Sequence, residues 1–166
     1  MASETAALNP IALAPSGGEA RWFFGGLTTI KATGAETEGR VAVTENLMPR
    51  GAGSPLHVHH REDEWFYVIE GELTFWVGGE TITAPAGSFV YGPRDIPHTF
   101  VVSSEQARFL LVVEPAGFEE FVRALSSPAE RLEIPPAAGE PPDIEAVAGV
   151  AAGFGMELIG PPGIPE

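Results

Sequence analysis

Two histidines separated by one residue, His57 and His59, stand where a loop rich in glycine and proline meets a run of aromatic and β-branched residues. Residues i and i+2 share one face of a β-strand because side chains alternate sides, whereas neighbours on a helix are three or four positions apart. The loop at 49–55, PRGAGSP, disfavours a helix before His57, and the run at 65–69, WFYVI, has high β propensity. We therefore expect both imidazoles on one strand face, followed closely by Glu64. With a fourth ligand from elsewhere, this pattern is typical of a first-row metal site.

The segment 21–115 has the pattern of short strands joined by tight turns. The chain contains 20 glycines and 16 prolines in 166 residues, and pairs such as Gly78-Gly79 are hairpin signals. Strand-like runs recur at a spacing of roughly eight to twelve residues, which is typical of a β-sandwich or barrel. Since strands do not alternate with helices, a parallel α/β sheet is not expected. The sequence therefore predicts an all-β fold for this segment.

Both ends of the chain differ from this pattern. Residues 1–20 are small, polar and interrupted by proline, so we expect a loose arm or an edge strand exchanged with a partner. In 116–166, apolar residues at helical spacing predict a short helix over 117–126. After a proline-rich connector, Asp143 can cap a second helix, and 156–159 can form a final strand. We expect 116–166 to pack on the outside of the barrel as part of the same domain.

Composition excludes several classes of function. Nine basic against 23 acidic residues give a net charge of −14, which argues against nucleic acid and anionic membrane surfaces as partners. The chain has no cysteine, so disulfides, zinc–thiolate sites and thiol nucleophiles are excluded. The first ten residues, MASETAALNP, lack the features of a signal peptide, and no apolar run approaches the ~20 residues of a membrane span. We therefore expect a soluble cytoplasmic protein.

The region around the histidine pair resembles a known family. Gly51, His57, His59, Glu64 and Gly71 have the spacing of the first cupin motif at every fixed position. The longer run that contains them, PLHVHHREDEWFYVIEGELTFWVGG, looks like the small monocupins related to quercetin 2,3-dioxygenase.

One hairpin later, Gly87, Pro93 and His98 resemble the second cupin motif in the run GPRDIPHTF. Asp95 stands where that motif usually has glycine, and Val102 where it usually has asparagine. Both departures fall at a turn or beyond the ligand, so they affect the turn and not the ligand set.

The cupin resemblance implies a double-stranded β-helix, or jelly-roll barrel, with short C-terminal helices. It also implies one bound divalent first-row transition metal, with Mn, Fe, Co, Ni, Cu and Zn all possible. Four protein ligands leave an open position for water, substrate or dioxygen. The implied metal ligands are His57, His59, Glu64 and His98.

Strand alternation indicates which nearby residues face inward. It places His60 on the face opposite to His57, so His60 is not expected to be a ligand. The charged run Arg61–Asp63 is expected in solvent, although Glu62 or Asp63 takes the place of Glu64 if the loop shifts. Glu64 is preferred because its strand face continues with apolar residues, namely Phe66 and Val68.

Aromatic and apolar residues are expected to line the barrel around the metal. The simpler interpretation is that most of them only form the core, because aromatic residues dominate cores. A pocket of this kind suits a flat or apolar substrate, and the single lysine, Lys31, argues against a polyanionic one. Trp65, Tyr67 and Trp76 are expected nearer the other face. The predicted pocket residues are Phe66, Val68, Phe75, Phe89, Phe100 and Phe109.

These features favour a metal-dependent dioxygenase that acts on an aromatic, flavonol-like or enediol small molecule. Glu64 either stays a ligand or accepts the substrate's hydroxyl proton as a general base. Two alternatives remain: a non-catalytic small-molecule-binding cupin, and a metal-dependent isomerase or decarboxylase. The latter needs a second acid or base in the pocket. Open sheet edges further predict a homodimer.

Overall fold

The computed structural model describes residues 8–137 and 142–166, and within these ranges the chain forms twelve β-strands and two short α-helices. The first seven residues of the predicted arm and part of the predicted connector, 138–141, lie outside the described residues. The elements in chain order are β1 Glu19–Phe23, β2 Gly26–Ala32, β3 Ala42–Pro49, β4 Pro55–His59, β5 Asp63–Glu70, β6 Glu72–Val77, β7 Glu80–Pro85, β8 Phe89–Gly92, β9 His98–Val102, β10 Gln106–Glu114, α1 Phe118–Ala124, β11 Ser127–Pro128, α2 Ile144–Gly153 and β12 Met156–Pro162.

The strands form two antiparallel sheets. One has the order β11-β1-β2-β3-β10-β5-β8, and the other has the order β12-β4-β9-β6-β7. The main core cluster takes side chains from both sheets, for example Phe66 and Phe109 from the first and Leu73 and Phe75 from the second. The predicted all-β fold with short C-terminal helices is therefore confirmed. The predicted homodimer stays a prediction.

Residue alternation along the strands creates this core. Buried and partly buried residues alternate strictly along β3, and β10 follows the same rule between two exposed ends. On β5, the same alternation turns Glu64, Phe66 and Val68 inward. Phe66, Phe75 and Phe109 are at most 2% exposed, and each stabilises the fold by roughly 1.5–3 kcal/mol through burial of its ring.

The C-terminal extension packs against the barrel and adds a strand to it. The helix predicted for 117–126 is α1, and the predicted final strand is β12, which pairs antiparallel with β4. The Asp143 side chain caps α2 by accepting hydrogen bonds from the backbone N–H groups of Glu145 and Ala146, at 3.0 and 3.3 Å. A second core cluster joins the extension to the first two strands; it contains Phe23, Ile30, Phe121, Val122, Ala151 and Met156. The extension thus covers the sheet edge at β4, the strand that carries His57 and His59.

A glycine substitution tests the turn between β5 and β6. Gly71 has a φ of 78°, and a Cβ there would lie 2.2 Å from the backbone oxygen of Gln106. Gly71→Ala combines backbone strain with a backbone clash, so we expect the free energy of unfolding to fall by more than about 2 kcal/mol in urea denaturation. Gly79→Ala is the control, because Gly79 has a φ of 100° but open space at its Cβ position. It should lose only about 1 kcal/mol. Equal losses in the two variants would contradict this account of the turn.

Candidate metal centre

Three strands from both sheets bring the four predicted ligands together. His57 and His59 lie on β4, Glu64 on β5 and His98 on β9. His57 and His98 are direct partners across the β4–β9 pair. The ligand-capable atoms of all four side chains lie within 4.8 Å of one another. The structure therefore brings together four residues that lie between positions 57 and 98 of the sequence.

Each imidazole is oriented by a hydrogen bond from its Nδ1 atom. His57 Nδ1 lies 2.7 Å from the backbone oxygen of Pro55, and His98 Nδ1 lies 2.9 Å from that of Ile96. A carbonyl oxygen only accepts, so both Nδ1 atoms carry the proton and donate it. His59 Nδ1 contacts the carboxylate of Glu62 at 3.3 Å. The three Nε2 atoms are thereby turned toward the common centre, the arrangement that metal-binding histidines require.

One buried nitrogen at this centre has no hydrogen bond. His59 Nε2 is the single buried side-chain nitrogen or oxygen without a hydrogen-bond partner in residues 8–137 and 142–166, although it lies 3.4 Å from Glu64 Oε1. The other oxygen of Glu64 is 2.7 Å from His98 Nε2. A buried nitrogen left without a partner is destabilising, and a cation coordinated by it removes that penalty. Three imidazoles and one carboxylate therefore fit a first-row transition metal in both geometry and donor type.

The pKa values of His57 and His59 are shifted in opposite directions. Burial lowers the pKa of His57 to about 3, and the neighbouring His98 adds to this effect, so His57 is a neutral donor at physiological pH. Burial also acts to lower the pKa of His59, but the charge of Glu64 and the contact with Glu62 outweigh it and raise the pKa to about 10. Burial would raise the pKa of Glu64, yet His59 and His98 hold it well below its ordinary value. Without an ion, His59 and Glu64 thus form a buried ion pair.

Glu62 is buried against a predicted ligand, a position that the sequence interpretation did not assign to it. The charged run before Glu64 was expected in solvent, but Glu62 is only 3% exposed and contacts His59. Its other oxygen lies 3.6 Å from the half-exposed guanidinium of Arg61. One sequence signal could have identified Glu62. It is a carboxylate three residues after a histidine, across the short turn between β4 and β5.

Two further residues that were considered as metal ligands, His60 and Asp63, point away from the ligand cluster. His60 faces outward as predicted; its Nδ1 and Nε2 atoms lie 2.9 and 3.0 Å from carboxylate oxygens of Asp95 and Glu157. Asp63, which was considered as an alternative to Glu64, accepts a hydrogen bond from the backbone N–H of Arg94 at 2.8 Å. Neither Glu62 nor Asp63 therefore replaces Glu64.

The backbone conformation of Asp95 explains how aspartate can replace the usual glycine of the second motif. It has a φ of 63°, in the left-handed region that glycine adopts without strain and that aspartate tolerates better than most residues. Its backbone N–H donates to the backbone oxygen of His59 at 2.8 Å. The aspartate therefore keeps the turn that leads to His98.

A cavity opens on one side of the metal centre. His57 and Glu64 line it, and most of its other wall residues are apolar. Three predicted pocket residues, Phe66, Phe100 and Phe109, are among them. Val68 and Phe75 are 0% and 1% exposed and belong to the core cluster, as the simpler interpretation expected.

The prediction that Phe89 lines the pocket is corrected by the structure. Phe89 is 61% exposed, and it lies directly opposite Tyr67 in the β5–β8 pair. Directly opposed residues share a face, and Tyr67 is on the outer face, at 47% exposed. Val90, opposite Phe66, is the inward residue of β8.

The C-terminal extension forms the roof of the cavity. Phe118 and Phe121 of α1, Val147 of α2, and Met156 and Leu158 of β12 all line it. The cavity has a volume of about 80 Å³ for the centre of a water molecule, which admits a small molecule. A wider cleft of about 780 Å³ adjoins it and shares several wall residues, namely Phe24, Gly53, Pro55 and Val147.

The sequence of the barrel matches a described family. The profile of the Cupin domain family matches residues 43–113, the segment that contains all four candidate ligands. Residues 43–113 therefore form a cupin domain. Residues 8–137 and 142–166 contain no helix long and apolar enough to cross a membrane.

Two relatives share sequence with this cupin. Quercetin 2,3-dioxygenase of Bacillus subtilis is 32% identical over 104 residues, which cover 63% of this chain and 31% of that protein. An uncharacterized protein of Streptomyces coelicolor is 39% identical over 56 residues, which cover 34% of this chain and 53% of that protein. The chain thus spans less than two thirds of the length of either relative.

Solved structures support the same fold. KdgF from Halomonas sp. superposes with a TM-score of 0.59 at 18% identity, covering 68% of this chain and 98% of KdgF. A variant of oxalate decarboxylase from Bacillus subtilis superposes with a TM-score of 0.58 at 26% identity, covering 70% of this chain and 32% of that one. The fold is therefore also found in an oxalate decarboxylase, so the fold alone does not assign a reaction.

The carboxylate behind His59 gives a testable prediction for metal affinity. Glu62→Gln keeps the shape of the side chain but weakens the hydrogen bond that orients His59, so we expect zinc affinity to fall by about 10- to 100-fold. Asp63→Asn is the matched control, because it removes the same charge one residue away without a contact to a ligand. Competition with a chromophoric chelator measures both affinities. An equal loss in the two variants would assign the effect to net charge and not to the orientation of His59.

Proton release on metal binding gives a second prediction. Since the pKa of His59 is raised to about 10, this imidazole carries an additional proton at pH 7 that must leave when an ion takes Nε2. We expect release of at least one proton per ion, because the hydrogen between His98 Nε2 and Glu64 Oε2 must also leave when both atoms become ligands. The apparent affinity should rise at least about tenfold per pH unit between about pH 6 and 8. Calorimetry in buffers of different ionisation enthalpy counts the protons. Binding without proton release would show that His59 is neutral before the ion arrives.

Proposed function

We propose that this cupin is a metal-dependent dioxygenase that acts on an aromatic, flavonol-like or enediol small molecule. The observation that carries the proposal is the opening of the ligand cluster into an aromatic cavity: His57 and Glu64 belong to both. A substrate oxygen in the cavity would therefore lie beside the residues that would hold the ion. The relationship to quercetin 2,3-dioxygenase over 104 residues supports the same reaction class.

The bound metal would supply Lewis acidity toward the substrate oxygen and toward dioxygen. His57, His59 and His98 would hold it, and the Nδ1 hydrogen bonds described above keep their rings in place. Glu64 lines the cavity and would act as a ligand rather than as a general base, because its pKa is held well below the ordinary value and it is a weak base toward a substrate hydroxyl. The Phe66, Phe100 and Phe109 side chains would contact the flat face of the substrate and exclude water.

The dimensions of the cavity favour a substrate whose reactive part is small. About 80 Å³ accommodates an enediol or a single ring, and a larger flavonol-like molecule would extend into the adjoining cleft past Phe24 and Val147. The cleft lies between α2 and the 51–55 loop, so movement of α2 would widen the passage. We propose that this cleft is the entrance.

A metal-dependent decarboxylase is the second candidate, because the oxalate decarboxylase structure is 26% identical over the shared region. A decarboxylase or isomerase that needs a further acid or base finds no additional group here: the titratable side chains among the cavity's lining residues are His57 and Glu64. Both already belong to the ligand cluster. This distribution favours a reaction in which the ion and dioxygen supply the chemistry.

Oxygen consumption separates the candidates. The protein loaded in turn with Mn, Fe, Co, Ni, Cu or Zn is mixed anaerobically with catechol, a reductone or quercetin, and air is then admitted. A dioxygenase consumes one O₂ per substrate, and both atoms of ¹⁸O₂ enter the product. Carbon dioxide release without oxygen uptake would instead favour the decarboxylase. No spectral change and no turnover with any metal would remove the enzyme proposal and leave a binding cupin.

Matched histidine variants test the assigned site. His57→Gln removes a ligand that lines the cavity, so we expect loss of the ion and at least a 100-fold loss of turnover. His60→Gln changes an adjacent histidine on the outer face and should retain both. Equal activity of the two variants would show that the reaction occurs elsewhere.

A further inference from the structure

A buried polar pair interrupts the apolar wall of the cavity. Thr28 on β2 and Asn46 on β3 are direct cross-strand partners, and they are 2% and 6% exposed. Both line the cavity that His57 and Glu64 also line. The proposed function gives neither Thr28 nor Asn46 a role.

The hydrogen bonds that Thr28 and Asn46 make leave one N–H donor and one hydroxyl acceptor for a ligand. The Thr28 hydroxyl donates to Asn46 Oδ1 at 2.8 Å, and Asn46 Nδ2 donates to Thr44 Oγ1 at 3.0 Å. One N–H of Asn46 remains, together with the lone pairs of Thr28 Oγ1. Thr44, which is 1% exposed, lies two residues from Asn46 on the same face of β3 and is not a wall residue. It fixes the Asn46 amide so that the remaining donor keeps one direction.

The register of the sheet places this pair far from the metal centre. Asn46 is opposite Phe109 on β10, and Phe109 is opposite Val68 on β5, four residues along from Glu64. At ordinary strand spacings, the backbone positions of Asn46 and Glu64 are therefore about 10 Å apart across the sheet and about 13 Å apart along it. The cavity thus has two polar regions separated by phenylalanine side chains.

We propose that Thr28 and Asn46 form a second anchor, which binds a hydroxyl group at the end of the substrate remote from its metal-binding oxygens. A hydroxyl group of the substrate can bond to both, because it accepts a hydrogen bond from the Asn46 N–H and donates one to Thr28 Oγ1. The substrate class is accordingly a molecule with chelating oxygens at one end, an apolar ring or chain in the middle and a hydroxyl at the other end. This inference rests on the proposed function, since the chelating end is assigned to the metal.

Two matched ligand pairs test the second anchor. 4-(2-Hydroxyethyl)catechol and 4-ethylcatechol differ in one terminal hydroxyl, as do the flavonols kaempferol and galangin. Dissociation constants are measured from the absorption change of the Co²⁺- or Cu²⁺-loaded protein under anaerobic conditions, so turnover is not needed. We expect the hydroxylated member of at least one pair to bind at least tenfold more tightly.

Variants then assign the preference to residues. Asn46→Leu and Thr28→Val should each bring the ratio within a pair to about one, with little change for the compound that lacks the hydroxyl. Thr29→Val is the matched control: Thr29 is 5% exposed, adjacent in sequence and absent from the cavity wall, so it should keep the preference. The cobalt spectrum and a thermal melt verify that each variant is folded and loaded.

The outcomes distinguish this inference from the proposed function. Equal binding within both pairs by the wild-type protein would overturn the second anchor while leaving metal chelation in place. A preference that survives both Asn46→Leu and Thr28→Val would also overturn it. If none of the four compounds changed the metal spectrum, the second anchor and the proposed function would fail together.

Discussion

The convergence of three imidazoles and one carboxylate inside an apolar barrel is the constraint on which the rest of the structure depends. Burial of four such groups is unfavourable unless each has a partner, because the interior solvates charge poorly. The backbone carbonyls of Pro55 and Ile96 and the carboxylate of Glu62 hold the Nδ1 atoms, so the Nε2 atoms are left to face one another. The buried His59 Nε2 makes no hydrogen bond and has only the ion-pair contact with Glu64 Oε1 at 3.4 Å. A cation coordinated by Nε2 would complete the arrangement.

Much of the fold and the ligand cluster could be predicted from the sequence, because strand alternation is a local rule. The i, i+2 spacing of His57 and His59 and the apolar alternation after Glu64 fix which way these side chains point. The same rule failed for Phe89, since β8 has only four residues and its phase depends on pairing with β5. The burial of Glu62 was not predicted because it results from the turn between two strands, and a run of charged residues is more often exposed to solvent.

The residues that define the cavity come from more of the chain than the family match covers. The cupin profile spans 43–113, whereas Phe23 and Thr28 precede it and five roof residues follow it. Those five lie in the C-terminal extension, which packs on the first two strands and pairs with β4. The four candidate ligands lie inside the matched segment, whereas much of the cavity wall lies outside it. For this reason the substrates of the relatives are not assigned to this chain.

A crystal structure of the protein as purified, with anomalous diffraction collected at the absorption edge of each first-row metal, tests the central claim most directly. The account predicts one anomalous peak per chain, at about 2.0–2.2 Å from the Nε2 atoms of the three histidines and from an oxygen of Glu64. It also predicts that this ion faces the aromatic cavity. A fully occupied ion at another place, or four side chains that stay in mutual contact with no ion after soaking in metal, would contradict it.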